Sequence, residues 1–226
     1  MIKENRVSKY ALYAMGEILL VVIGILIALQ INNWNDHRKN EDFERSILEL
    51  IDQNLAADKE ILKEEMSKTI QAIELTDLLL EHVAQKHFSD SLNRWMAKII
   101  SFERFKSQSS AFEVLKARGI ENINDKELQL ALISYYDESL FNLYQSIDDV
   151  ADSFKADWIP IVKQEFSEFK WREYCELRDQ QAFLEKPTTR VLFNLFKDNR
   201  GGQLRRMENS LTKIDDIRSR IERNAK

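Results

Sequence analysis

Glycine and proline are scarce: the 226-residue chain holds five and two of them, where average usage of about 12% would supply roughly 27. That shortage excludes collagen-like, Pro/Gly-rich disordered and turn-dense all-β chains, which need far more punctuation. Cysteine is almost missing too. The single thiol, Cys175, excludes an internal disulfide framework and any multi-cysteine zinc or iron–sulfur site. There is no basic excess: 33 Lys and Arg face 38 Asp and Glu, a net charge of −5. No nucleic-acid partner is therefore expected. What is present is 44% hydrophobic and 31% charged, enough apolar side chain to bury a core.

Catalytic signatures are also missing. No EF-hand spacing and no G-x-S-x-G occur. Gly201-Gly202 has neither a preceding strand nor the Lys-Ser/Thr of a phosphate loop. His82 and His87 are five residues apart, about 140° around a helix, not the i, i+4 ligand spacing. Asp148-Asp149 and Asp215-Asp216 are neighbours about 100° apart and share no site by themselves. Cys175 reads as a packed thiol, or as one arm of an intermolecular disulfide in an oxidising compartment. No catalytic residue, metal ligand or cofactor is assigned.

Mean hydropathy is that of a soluble protein, but it hides a local extreme. Residues 10–31, YALYAMGEILLVVIGILIALQI, carry one charge, Glu17, and one late amide, Gln30. As a helix they would span roughly 33 Å, against a hydrocarbon core of about 30 Å. A cleaved signal peptide needs small residues after the apolar core, and Ala28-Leu29-Gln30-Ile31-Asn32 is a poor fit. The expectation is an uncleaved signal anchor. Lys3, Arg6 and Lys9 precede it, whereas the residues after it are mixed in charge. That bias puts residues 1–9 in the cytoplasm as a short tail and 32–226 outside, in the periplasm, as an inner-membrane single-pass protein. Tyr10, Tyr13 and Trp34 sit where interface aromatics belong. Glu17 admits three roles: it snorkels to the cytoplasmic interface, bonds a partner helix, or serves as a proton-relay carboxylate. Gly16, Gly24 and Ala28 are the candidates for close helix packing.

The stretch 8–36, SKYALYAMGEILLVVIGILIALQINNWND, resembles the opening of the DUF6090 family of uncharacterised single-pass membrane proteins from Bacteroidetes. Tyr10, Tyr13, Gly16, Glu17, Gly24, Ala28, Gln30, Asn32, Asn33 and Trp34 carry the likeness. Residues 110–136, SAFEVLKARGIENINDKELQLALISYY, are similar to its soluble-domain signature, a helix ending in glycine followed by a helix that reaches a Tyr-Tyr pair. The resemblance implies a membrane-anchored helical protein and implies no activity.

Residues 36–226 carry 30 Lys/Arg and 36 Asp/Glu. A first helix is expected over about 35–87, either continuous with the span as a coiled-coil neck or broken near Ala56–Asp58. Its apolar stripe is Phe43, Ile47, Leu50, Ile51, Leu55, Leu62, Met66, Ile70, Ile73 and Leu80. A second, 91–105, is capped by Ser89 or Ser91. Capping boxes at Ser110/Glu113 and Asn124/Glu127 open the third and fourth. Gly119 ends the third, and Pro160 should kink or end the fourth. Helix is expected again over 161–185 and over 189–198. Gly201-Gly202 reads as a turn before a last helix with Met207, Leu211, Ile214 and Ile221. The expected fold is all-α: a span followed by an antiparallel bundle of about six or seven helices.

Tyr135, Tyr136 and Tyr144 are the candidates to line a ligand pocket in that bundle. The function expected is a non-enzymatic scaffold, assembly or accessory protein. Its partners would be the lipid bilayer and either further copies of itself or another membrane protein. Two alternatives stand beside it: a periplasmic sensor or small-ligand module, and an ion-coupled, stator-like subunit using Glu17.

Overall fold

A computed structural model describes residues 4–224, with side chains from residue 10 onward. Among the described residues its regular structure is helical apart from one hairpin. The helices are α1 (Glu4–Ala84), α2 (Asp90–Ile100), α3 (Ser110–Arg118), α4 (126–165), α5 (Gln180–Leu184) and α6 (Pro187–Asn224). Strands β1 (Phe166–Lys170) and β2 (Tyr174–Leu177) pair antiparallel between α4 and α5. The chain divides into two compact units, residues 1–47 and 48–226.

In the first unit α1 is the whole structure. Every side chain from Tyr10 to Trp34 is exposed. The Arg38 guanidinium lies 5.4 Å from the Trp34 ring centre, a cation–π contact.

The second unit is built on α1, α4 and α6. The buried side chains of α1 are Leu48, Ile51, Leu55, Asp58, Leu62, Glu65, Thr69, Ala72, Thr76 and Leu79, alternately three and four apart. Those of α6 follow the same rule: Thr189, Phe193, Phe196, Arg200, Gln203, Met207, Ser210, Ile214, Ile217 and Ile221. A repeat of 3.5 residues keeps one face of a helix on its partner along the pair. Ion pairs fix the register: Asp52 with Arg218 (2.8 Å), Lys59 with Asp215, and Asp77 with Lys197 (2.6 Å). The two helices therefore run antiparallel. α6 is antiparallel to α4 as well, through Ser134 with Lys213 (2.7 Å) and Glu127 with Arg220 (2.6 Å).

Of the two alternatives for the first helix the unbroken one holds: α1 passes through 56–58, with Asp58 a buried member of its seam. Several other local expectations are corrected. α2 stops at Ile100, five residues short of 105: Ser101 turns extended (φ −78°, ψ 144°), and 101–109 runs as a strap. The cap of α3 is Ser109 rather than Ser110. That of α4 is Asp125 rather than Asn124, and it accepts from the amides of Glu127 and Leu128. Pro160 neither ends nor breaks α4. A π turn over Phe154–Trp158, in which the Ile159 amide reaches Phe154 O, opens the helix just where the proline ring would meet the preceding carbonyl.

The helix expected over 161–185 gives way to the hairpin. Phe166 leaves the helical region at φ −100°, ψ 144°. Over β2 burial alternates: Cys175 and Leu177 point in, Glu176 out. That is a period of two, which a strand satisfies and a helix does not. Arg172 makes the turn at φ 64°. The turn expected at Gly201-Gly202 is absent, and α6 runs through both glycines. Helical glycine costs about 1 kcal/mol relative to alanine, which a well-packed flank absorbs.

One core cluster gathers α2, the hairpin, α5 and the ends of α1, α4 and α6 around Trp158. The Trp158 ring meets Phe193 and Phe196 edge-on, with centres 5.0 and 5.8 Å apart. Each such fully buried ring contributes roughly 2–3 kcal/mol by transfer from water.

Candidate functional site

Two regions carry the chemistry worth weighing. The first is the exposed apolar run of α1. Its 18-residue core is hydrophobic enough to cross a membrane, and none of it is buried. Leu12, Tyr13, Gly16, Glu17 and Leu20 lie together along one side of the helix. A methyl built on Gly16 or Gly24 would meet nothing within 4 Å. Tyr10, Ala28 and Trp34 are exposed on the same stretch.

The second region is a pair of buried ionisable side chains that hold the strap. Asp58 is fully buried. Its Oδ1 accepts from the Gln108 amide at 2.9 Å, and its Oδ2 accepts from the hydroxyls of Ser107 and of Tyr135, the latter at 3.3 Å. Burial pushes the carboxyl above the ordinary aspartate value, and the three donors pull it part of the way back. Tyr135, Tyr136 and Tyr144 come together here. The Tyr144 oxygen accepts from the Ser107 amide at 3.0 Å. Tyr136 stacks on Phe112 at 4.2 Å and meets Tyr135 edge-on at 4.8 Å. Burial drives the Tyr135 and Tyr136 hydroxyls far above the usual tyrosine range.

At the other end of the strap stands Arg200, 4% exposed. Its guanidinium donates to the carbonyls of Ser101 and of Ile99 and to Gln203 Oε1 at 3.2 Å. These carbonyls belong to the end of α2, where acceptors lack intrahelical partners and the helix dipole favours a cation. Phe196 and Phe102 supply ring faces at 5.3 and 5.8 Å. Burial, and then the nearby Arg172 charge, pull the guanidinium pKa down to about 9, so the group stays cationic at neutral pH. Glu65 answers these charges. It pairs with Arg172 at 3.3 Å and with Lys68 at 2.7 Å. The strap is thus pinned by a carboxyl at Ser107–Gln108 and by a guanidinium at Ser101, with Phe102 and Phe105 buried between them.

Other sequence candidates lie elsewhere. The His82 ring packs edge-on against Trp95 at 5.0 Å, and 6.2 Å separates it from His87. Cys175 is buried; its thiol donates to Asn93 O at 3.0 Å, and burial pushes it up to about 12. Among the described residues, no three His, Cys, Asp or Glu side chains gather to hold a metal ion. Sequence reasoning missed Asp58, Glu65 and Arg200. Their signal was phase: each falls on the 3-4 ladder of its helix, at positions an apolar count skips.

A family model described as a family of unknown function, DUF6090, matches residues 17–153. The chain belongs to the DUF6090 family. No curated protein and no solved structure matches it. The DUF6090 stretch begins at Glu17 and takes in Asp58, the whole strap and the three tyrosines; the hairpin and Arg200 lie beyond it.

Proposed function

We propose that this DUF6090 protein is a single-pass inner-membrane protein. Residues 10–31 form the anchor, the N-terminus lies in the cytoplasm, and the helical domain works in the periplasm by binding other proteins rather than by catalysis. The observation that carries this reading is the run of exposed side chains from Tyr10 to Trp34. So long an apolar surface left in water is costly, and a bilayer removes that cost. Lys3, Arg6 and Lys9 support the orientation. The Trp34–Arg38 pair suits the far interface, where an amphipathic ring and a long cation can snorkel.

An interaction role draws its support from the interior of the domain. The strongly perturbed groups, Asp58, Tyr135 and Arg200, are sealed and committed to bonds with the chain's own strap and helix ends. They act as positioning groups for backbone and offer a substrate no approach. The exposed surface is where such a domain does its work.

Alkaline extraction of membranes and protease treatment of spheroplasts test the proposal. The full chain should remain in the pellet, and added protease should digest the helical domain without lysis. Release into the supernatant would remove the anchor. Protection until lysis would reverse the orientation.

A further inference from the structure

The second unit leaves one side of the α1–α6 pair uncovered. There Met66, Ile73, Leu204 and Leu211 are half-buried, and Ile70 is 36% exposed. The same side contains Gly201, one of two consecutive glycines in a 38-residue helix. The fold itself makes no demand for them: a methyl on Gly201 or Gly202 would meet only the tip of Arg205, 3.7 or 3.9 Å away. Glycine inside a helix is nonetheless unfavourable, and a recurrent use of it is to let a neighbouring helix approach closely.

The register of the pair says what could approach. With Asp52 opposite Arg218, Lys59 opposite Asp215 and Asp77 opposite Lys197, Ile70 is level with Gly201 and Lys63 is level with Glu208. Lys63 pairs with Glu60 on its own helix (3.0 Å), and both Lys63 and Glu208 are exposed. Turn a second copy about a two-fold axis running along the helices, and the face meets itself at the same level. α1 of one copy then lies against α6 of the other. Ile70 fills the hollow at Gly201, and Lys63 meets Glu208, twice over by symmetry. An axis across the helices would set the two N-terminal segments at opposite ends, whereas a shared bilayer holds them on one side.

We infer that this face pairs two copies of the chain in parallel, through Ile70 against Gly201 and Lys63 against Glu208. The inference rests on the membrane-anchor reading, which supplies the parallel orientation and raises the local concentration so that a modest interface suffices.

The full chain in liposomes, carrying donor and acceptor fluorophores at the C-terminus, tests it. Wild type should show energy transfer that falls when unlabelled chain is added. Lys63→Glu or Glu208→Lys sets like charges opposite each other and should weaken pairing about tenfold or more. The double variant restores the pair and should restore the transfer. Ile70→Arg should abolish it. Unchanged circular-dichroism melts would show that these surface variants still fold. Alkaline extraction of the same samples separates the two readings. Chain that resists extraction yet shows no transfer overturns the pairing and leaves the anchor standing. Chain released by extraction overturns the anchor, and the parallel pairing with it. Transfer that persists in every variant, or that the double variant fails to restore, also overturns this interface.

Discussion

Asp58 accepts from three neutral donors, so its side chain is worth more as an acceptor than as a charge. Asp58→Ala strands the Gln108 amide and two hydroxyls, at a cost of about 3 kcal/mol, readable by urea denaturation. Asp58→Asn keeps an oxygen for the amide, and the hydroxyls can rotate to accept, so its cost should be well under half of that. The pH dependence has a definite sign. Burial raises the folded-state pKa above the unfolded value, so the native state holds this proton at higher pH than the unfolded chain does. Stability from this group is fully present below the unfolded pKa and is lost as pH rises through the folded one. Wild type should therefore gain stability relative to Asp58→Asn as pH falls from neutral toward 3.8. Arg200 is the counterpart. Arg200→Met leaves the end of α2 without donors and should cost about 2–3 kcal/mol, with the strap becoming the first site of protease cleavage.

At the scale of elements, Gly202 offers a clean measurement. It lies mid-helix, where a methyl would meet only the tip of Arg205, in ordinary contact at 3.9 Å. Gly202→Ala should stabilise the domain by about 0.5–1 kcal/mol, seen as a higher urea midpoint at unchanged slope. The elements also show what the sequence could and could not disclose. Met207, Ile214 and Ile221 announced the seam of α6, and all three are buried. On α1 the apolar count misled: Leu50 and Ile70, read as inward, are 49% and 36% exposed, while Asp58, Glu65, Thr69 and Thr76 are in the seam. A polar residue is placed inside by its partners, and those of Asp58 come from residues 107, 108 and 135. No local window contains them. The hairpin failed for a related reason. Phe166, Phe169 and Trp171 suit a helix stripe or a strand equally well, and contact with α2 through Cys175 and Asn93 decides between them. The tyrosines were legible as a group, but not the carboxylate they surround.

For the whole molecule, the exposed run at 10–34 governs handling. Full-length chain should need detergent, and deletion of residues 1–35 should yield a soluble domain whose thermal melt matches that of the full chain in micelles. Ion pairs on the domain surface, such as Lys155 with Asp152 and Lys116 with Asp137, are well exposed. Each is worth less than about 1 kcal/mol, so added salt should barely move that melt. Resistance to heat comes instead from the seams and from the aromatic cluster around Trp158.

The strap has a consequence for how the chain is made. Asp58 leaves the ribosome long before Arg200, yet the strap between them needs both. Until α6 is complete, α1 must wait with the part of its seam that faces α6 uncovered. An all-leucine seam would make that wait hazardous, since a growing chain with a continuous greasy edge finds wrong partners. Aspartate, glutamate and two threonines along the edge keep it wettable in the interval. A polar seam should thus lower aggregation of the nascent chain, and the arrival of α6 closes the domain.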